Sequence, residues 1–233
     1  MPRKYDHTAS SYVRYRYGID AAEGLRQFPE TQPLAEPLQE LNERLGEARL
    51  ARMAAELAVA PHSARVRFGD FLCDTAIRSL SRDAEVADGG RRGPVFDGIF
   101  PSGLNAVVAT SGAAQLDATV ALERRFSESR VAGVEPLRTE WMPRLADARQ
   151  KLEDAVAARK TGRRALADAR AREEAVMEEH ETAIDKLLGQ VRAIFPRDVA
   201  RQNVVFPPAP ARGRADDEAD DDAETDAPLP AAP

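Results

Sequence analysis

The most regular hydrophobic pattern lies in the C-terminal half of the chain. Leu145, Ala148, Leu152, Ala155, Arg159, Gly162, Leu166, Ala169, Glu173, Val176, His180, Ala183 and Leu187 follow one another in alternating steps of three and four. That spacing draws one stripe down an α-helix and, kept up over several heptads, has the form of a coiled-coil seam. The stripe then drifts to Ile184, Leu188, Val191 and Phe195, and Pro196 stops it. The pattern predicts a helix over 136–195, opened by Pro136. Gly162 is the position where this segment could turn back as a hairpin. A helix starting there would carry Arg163 and Arg164 in its first turn, where the dipole disfavours cations. The heptad register also crosses Gly162 without a slip. The reading is one continuous helix, roughly 90 Å long at 1.5 Å per residue.

Shorter stripes come before it. Leu38, Leu41, Leu45, Ala48 and Ala55 predict a helix over about 37–60, opened by Pro37 and ended by Pro61-His62-Ser63. Ser63 can cap a second helix over 64–87, with Phe68, Leu72, Thr75, Ala76 and Leu80 on one side. So short a link implies antiparallel packing. Ser102 can cap a third over 103–131, through Leu104, Val108, Leu116, Val120 and Phe126, with a weak point at Ser111-Gly112. Between the second and third, residues 88–103 hold five glycines and two prolines and read as a loop. Its Val95, Phe96, Ile99 and Phe100 are apolar for a solvated connection. They are expected to fold back and plug one end of the bundle, a partner-docking patch being the alternative.

Residues 1–33 show no helical period and read as an irregular arm. It contains all four tyrosines, and Tyr12, Arg14, Tyr15, Arg16 and Tyr17 form a partly alternating Arg/Tyr run. Such a run can stack on bases and pair with phosphates. Its tyrosines can equally lie on protein, one end apolar and the other wet. An arm this short supplies few phosphate contacts, so wrapping or partner docking ranks ahead of nucleic acid.

Composition sharpens the picture. Alanine accounts for 42 of the 233 residues, so the seams are thin and padded with small side chains. The expected fold is all-α: an elongated antiparallel bundle in which three shorter helices lie along a long, coiled-coil-like C-terminal helix. The expected organisation is an arm at 1–33, a bundle at 34–206 and a disordered acidic tail at 207–233. The net charge of −6 resides in that tail, where eight acids face only Arg212 and Arg214. The body is neutral, which is not the broad basic face of a nucleic-acid-coating protein. The single cysteine, Cys73, excludes an intramolecular disulfide and reads as a small core hydrophobe. No apolar run is long enough to span a bilayer, and the first residues lack the apolar core of a secretory signal. The expectation is a cytoplasmic protein with no membrane association.

Catalytic patterns are missing from the sequence. A bundle di-iron site needs Glu-x-x-His pairs, but Met177 stands three residues before His180. No His-Glu-x-x-His, Walker loop, Gly-x-Ser-x-Gly or Gly-x-Gly-x-x-Gly occurs. Asp70 and Asp74 lie four apart but have no base or ligand partner in the pattern. The expectation is a non-enzyme without cofactor or metal, a cryptic bundle site being the rival. His180 reads as a polar break that sets register in the seam.

The charges on the long helix are segregated. Six bases (Arg159, Lys160, Arg163, Arg164, Arg170, Arg172) and Asp168 occupy 159–172, and six acids that include Glu173, Glu174 and Glu178 occupy 173–185. Two copies laid antiparallel would set basic block beside acidic block. Each exposed pair contributes on the order of 0.3 kcal/mol, so charge would choose orientation and the seam would supply affinity. The sequence therefore predicts an interaction or assembly protein acting through helix–helix contacts with a protein partner or itself, as an antiparallel homo-oligomer through 145–187. A nucleic-acid-associated protein using the arm and 159–172 is the alternative.

Overall fold

A computed structural model of the chain describes residues 4–206, and the acidic tail lies outside them. The chain is an all-α helical bundle. Its elements are α1 (Ser11–Arg26), a 3₁₀ turn (Gln32–Leu34), α2 (Ala35–Ala87), α3 (Pro94–Ile99), α4 (Asn105–Val108), α5 (Gly112–Glu128), α6 (Val134–Ile194) and α7 (Val199–Val205), with no strand among the described residues. No helix among them is long and apolar enough to cross a membrane.

The long C-terminal helix forms as the heptad pattern predicts and runs unbroken across Gly162. Four other expectations need correction. The first concerns the arm, which is not irregular: residues 11–26 are helical, with the Ser10 hydroxyl accepting from the Val13 N–H as N-cap. Its buried positions, Arg14, Tyr17, Gly18, Ala21, Ala22 and Leu25, follow helical spacing. They escape a hydrophobic-period search because an arginine and small residues make up most of the stripe.

Second, Pro61 does not end a helix; α2 runs straight through it. Proline removes the bond to the Leu57 carbonyl, but Leu57 and Pro61 are both exposed, so water can satisfy that oxygen. Third, the glycine-rich loop contains α3, which starts with Pro94 and is capped by Asp88. The Asp88 carboxylate accepts from Val95 N at 3.0 Å and Phe96 N at 2.8 Å. Fourth, the helix expected over 103–131 is divided: α4 ends at Val108, and α5 begins at Gly112, whose φ of +59° lies in the left-handed region.

The chain divides into two compact units, Met1–Arg49 with Glu173–Pro233, and Leu50–Arg172. In the first, Tyr5, Tyr17, Ala21, Leu25 and Leu38 share a core with Ile184, Leu188, Val191, Phe195, Val205 and Phe206. The Asp198 carboxylate caps α7 through Arg201 N, and this turn follows Pro196, where periodicity had faded.

In the second unit, Cys73, Ile77, Leu80 and Ala84 of α2 pack with Phe96, Ile99, Phe100, Leu122, Phe126, Leu145 and Leu152. Here α2 and α6 run antiparallel, as three contacts establish. Glu56 meets Arg170 at 3.7 Å, Gly69 lies against Leu152, and Asp83 accepts from Trp141 Nε1 at 2.8 Å. A Cβ on Gly69 would stand 2.8 Å from the Leu152 Cα, so only glycine lets the two backbones approach this closely.

Candidate interaction surfaces

Six of the fifteen residues that the sequence marked for interaction, Arg14, Tyr17, Phe96, Ile99, Phe100 and Glu173, are buried inside the chain. Phe96, Ile99 and Phe100 are 2%, 0% and 1% exposed and close the core of the second unit, so they form no docking patch. The seam is also occupied. Leu145, Ala148, Leu152 and Ala155 belong to that core, while His180, Ile184 and Leu187 are buried in the first unit. Self-association through 145–187 is therefore closed to the folded chain, because its own helices already fill the stripe.

The Arg/Tyr run divides between a polar cluster and the surface. Tyr17 is buried, with its ring edge-on to Tyr5 at 5.3 Å. Tyr15 packs over Gly46. Tyr12 stays exposed, with Arg16 and Arg49 over its ring at 5.8 and 5.0 Å. Arg14 is buried, donating to the carbonyls of Ala9 and Met177 at 3.0 Å and to Glu181 Oε2 at 2.9 Å. Its guanidinium also lies 5.0 Å from the Tyr5 ring centre. These contacts consume the charge that a phosphate would need.

His180 is the centre of this cluster. It is fully buried, and its Nδ1 is 2.8 Å from the Tyr5 hydroxyl. Burial, reinforced by the Arg14 charge, pushes the imidazole down to about 4, so it stays neutral. Lys4 extends the network to Glu181 at 2.9 Å and Asp185 at 2.6 Å, and Glu181 is held below the usual carboxylate range chiefly by Lys4. A Cβ on Gly18 would overlap Asn42 Oδ1 at 2.2 Å and His180 Nε2 at 2.7 Å, so the glycine makes room for both polar groups. The cluster ties the N-terminal residues and α1 to α6. Two of its buried atoms, Asn42 Oδ1 and His180 Nε2, have no hydrogen-bond partner among the described residues, and Asn42 also lines a small cleft of about 240 Å³ with Tyr15, Ile19 and Gln39.

The acid–thiol group on α2 is structural as well. Asp70 Oδ1 accepts from Gly112 N at 2.8 Å and so caps α5, and burial raises the carboxyls of both Asp70 and Asp74. Cys73 is buried and its thiol is pushed up to about 11 by burial, which keeps it from forming a thiolate at neutral pH.

Two further surfaces of the Leu50–Arg172 unit are open to solvent. One is a groove of about 400 Å³ whose lining includes Val66 and Val156 together with Arg159, Lys160, Arg163 and Arg164. Among the described residues these four cations make no ion pair, although Asp70 is an electrostatic neighbour of Arg159. Arg163 follows Arg159, and Arg164 follows Lys160, at the four-residue spacing where like charges repel. Along the rest of the charged segment, Arg170 pairs with Glu56, and Arg172, Glu174 and Glu178 are exposed. Glu173, by contrast, is 6% exposed, so it is not a surface member of an acidic block.

The other surface is the outward side of α2, which sequence reasoning missed. Leu50, Met53, Leu57, Phe68 and Phe71 are 62%, 38%, 73%, 60% and 61% exposed. Ala60, Pro61 and Ala64, also exposed, fill the gap between them. The two phenylalanine rings stack on each other, 6.4 Å apart, rather than on the core. These positions recur in steps of three and four, so α2 carries a second apolar stripe opposite the Val66–Cys73–Ile77–Leu80 stripe that folds the unit. The signal was present in the sequence, but ending a helix at Pro61 cut it in two and assigned Phe68 to the core.

No protein-family model, characterised protein or solved structure matches this chain.

Proposed function

We propose that this protein is a non-enzymatic assembly protein that docks an apolar-striped α-helix on the outward face of α2. The carrying observation is the exposure of Leu50, Met53, Leu57, Phe68 and Phe71 as one stripe. Large apolar side chains at helical spacing on a solvent face are costly to leave uncovered, and patches beyond a few hundred Å² mark interaction sites. A second helix with its own three-four stripe is the occupant that fits, because knobs from one seat between knobs of the other. The test is a photo-crosslinking amino acid placed at Leu57 in the full-length protein in its native cells, with the same group at exposed Val120 of α5 as control. The expected result is an adduct from position 57 alone, mapped by mass spectrometry to a helical segment with an apolar stripe. Absence of any adduct at 57 would overturn the reading.

A second reading rests on the basic groove. Four cations without ion pairs beside the start of α5 would favour a polyanion such as a single-stranded nucleic acid. Fluorescence anisotropy with a poly-dT oligonucleotide tests it: binding that falls steeply with salt and is lost in an Arg163→Glu/Arg164→Glu variant supports this reading, and no binding at low salt rejects it.

A further inference from the structure

We infer that the helix docked on the outward face of α2 is α2 of a second copy of this chain, laid antiparallel about a two-fold axis between Ala60 and Pro61. The inference rests on the docking reading above and names its occupant. The exposed apolar positions are self-complementary under reversal. Leu50 maps onto Phe71, Met53 onto Phe68, Leu57 onto Ala64 and Ala60 onto Pro61, since the residue numbers of each pair add to the same value. An isologous interface requires this property, residue i meeting j while j meets i.

Shape favours the same orientation. Antiparallel pairing sets the exposed bulk of Leu57 over Ala64 of the second copy, and the Leu50–Met53 pair over the stacked Phe71–Phe68 pair. Parallel pairing in register would set Leu57 on Leu57 and Ala64 on Ala64, crowding one level and leaving the next hollow. Charge adds a third argument. Glu56 and Arg67 flank the stripe on the same side of the helix, and antiparallel copies bring equivalent flanks together. Glu56 of one copy thus lies about 3 Å along the axis from Arg67 of the other, twice by symmetry. Arg67 is exposed and makes no ion pair among the described residues; the Glu56 side chain, 43% exposed, already lies 2.7 Å from Arg52 and 3.7 Å from Arg170 of its own chain, so Arg67 of the second copy would be a further cation beside it. Parallel copies offer Glu56 no opposite charge. The exposed stripe offers at most roughly 600 Å² per copy, about 1,200 Å² for the pair if wholly covered, which is the lower bound of stable interfaces.

Single cysteines in the otherwise unchanged full chain test the register, with the buried Cys73 left in place. On mild oxidation, Ala60→Cys is expected to give disulfide-linked dimers with itself. Leu57→Cys and Ala64→Cys should each fail alone, because equivalent positions lie about 10 Å apart along the axis, beyond disulfide reach. Mixed together, these two should cross-link. Sedimentation equilibrium of the unmodified chain should give twice 25.5 kDa, and Leu57→Glu should weaken that dimer on the order of 100-fold, by setting a carboxylate in the apolar seam. Self-linking at 57 and at 64 without mixed linking would overturn the antiparallel register. A monomer throughout would overturn self-pairing. Either result leaves helix docking standing if the Leu57 photo-adduct forms on another chain; loss of that adduct too would end both.

Discussion

The buried imidazole of His180 makes the stability of the protein depend on pH in a specific window. The group has no exposure, the Tyr5 hydroxyl at its Nδ1 and the Arg14 guanidinium nearby, with Asn42 and Gly18 closing its other side. A pKa of about 4 in the fold against about 6.5 in the unfolded chain corresponds to about 3 kcal/mol between the two protonation states. The unfolded chain takes up the proton as pH falls below 6.5, while the folded imidazole stays neutral until near 4. The contribution is therefore complete above pH 6.5 and is lost on acidification between those values. Moving from pH 7.5 to 5.0 should cost about 2 kcal/mol through this residue alone. The lowered carboxyls of Glu181 and Glu179 lose their contribution as pH falls through their ordinary value of 4.5 and below, so pH 5.0 keeps most of it. Urea unfolding followed by circular dichroism at both pH values, on the wild type and on His180→Gln, isolates the effect. The variant starts less stable but should lose about 2 kcal/mol less than the wild type on acidification. Equal losses in the two proteins would refute the assignment of a neutral, buried His180.

Other consequences follow from single contacts. Gly69→Ala places a methyl 2.8 Å from the Leu152 backbone, and the strain should exceed the gain in helix propensity, lowering stability by about 1–3 kcal/mol in a thermal melt. Asp88→Ala removes both N-terminal bonds of α3 and should cost about 1 kcal/mol, with faster hydrogen exchange at Val95 and Phe96 as the local readout. Arg163→Glu replaces a repulsion with Arg159 by an attraction and should stabilise α6 by about 0.5 kcal/mol at low salt, an effect that 1 M salt should erase. Cys73 should resist a thiol reagent at pH 8 in the folded protein and react at once in urea, as its burial and raised thiol pKa require.

The three-four periodicity made α6 legible almost to the residue, because a sixty-residue helix with an unbroken heptad register leaves few alternatives. It could not say what the seam faces. A stripe looks the same whether it meets another copy or the chain's own α2, and in this fold the chain fills it. Pro61 misled for a related reason: proline's cost in a helix interior is real, about 3 kcal/mol, but the packing of α2 before and after it outweighs that cost. α1 was hidden because its buried face is made of Arg14, Gly18, Ala21 and Ala22, residues that hydrophobic patterning ignores. The Tyr5–His180–Arg14 cluster joins residues about 175 positions apart, and only the fold brings them together. The outward stripe of α2 was fully written in the sequence, and it emerges once the helix is carried through Pro61.

α2 has two apolar faces, one that folds the chain and one that is exposed, and the second is the face proposed to dock. Light-scattering mass of the purified wild type beside Leu57→Glu, with helicity recorded on the same samples, tests this most directly. Equal helicity with a dimer for the wild type and a single chain for the variant is the predicted result. Identical masses for the two would contradict self-pairing through this face, and a variant that loses its helix content would contradict the placing of Leu57 outside the core.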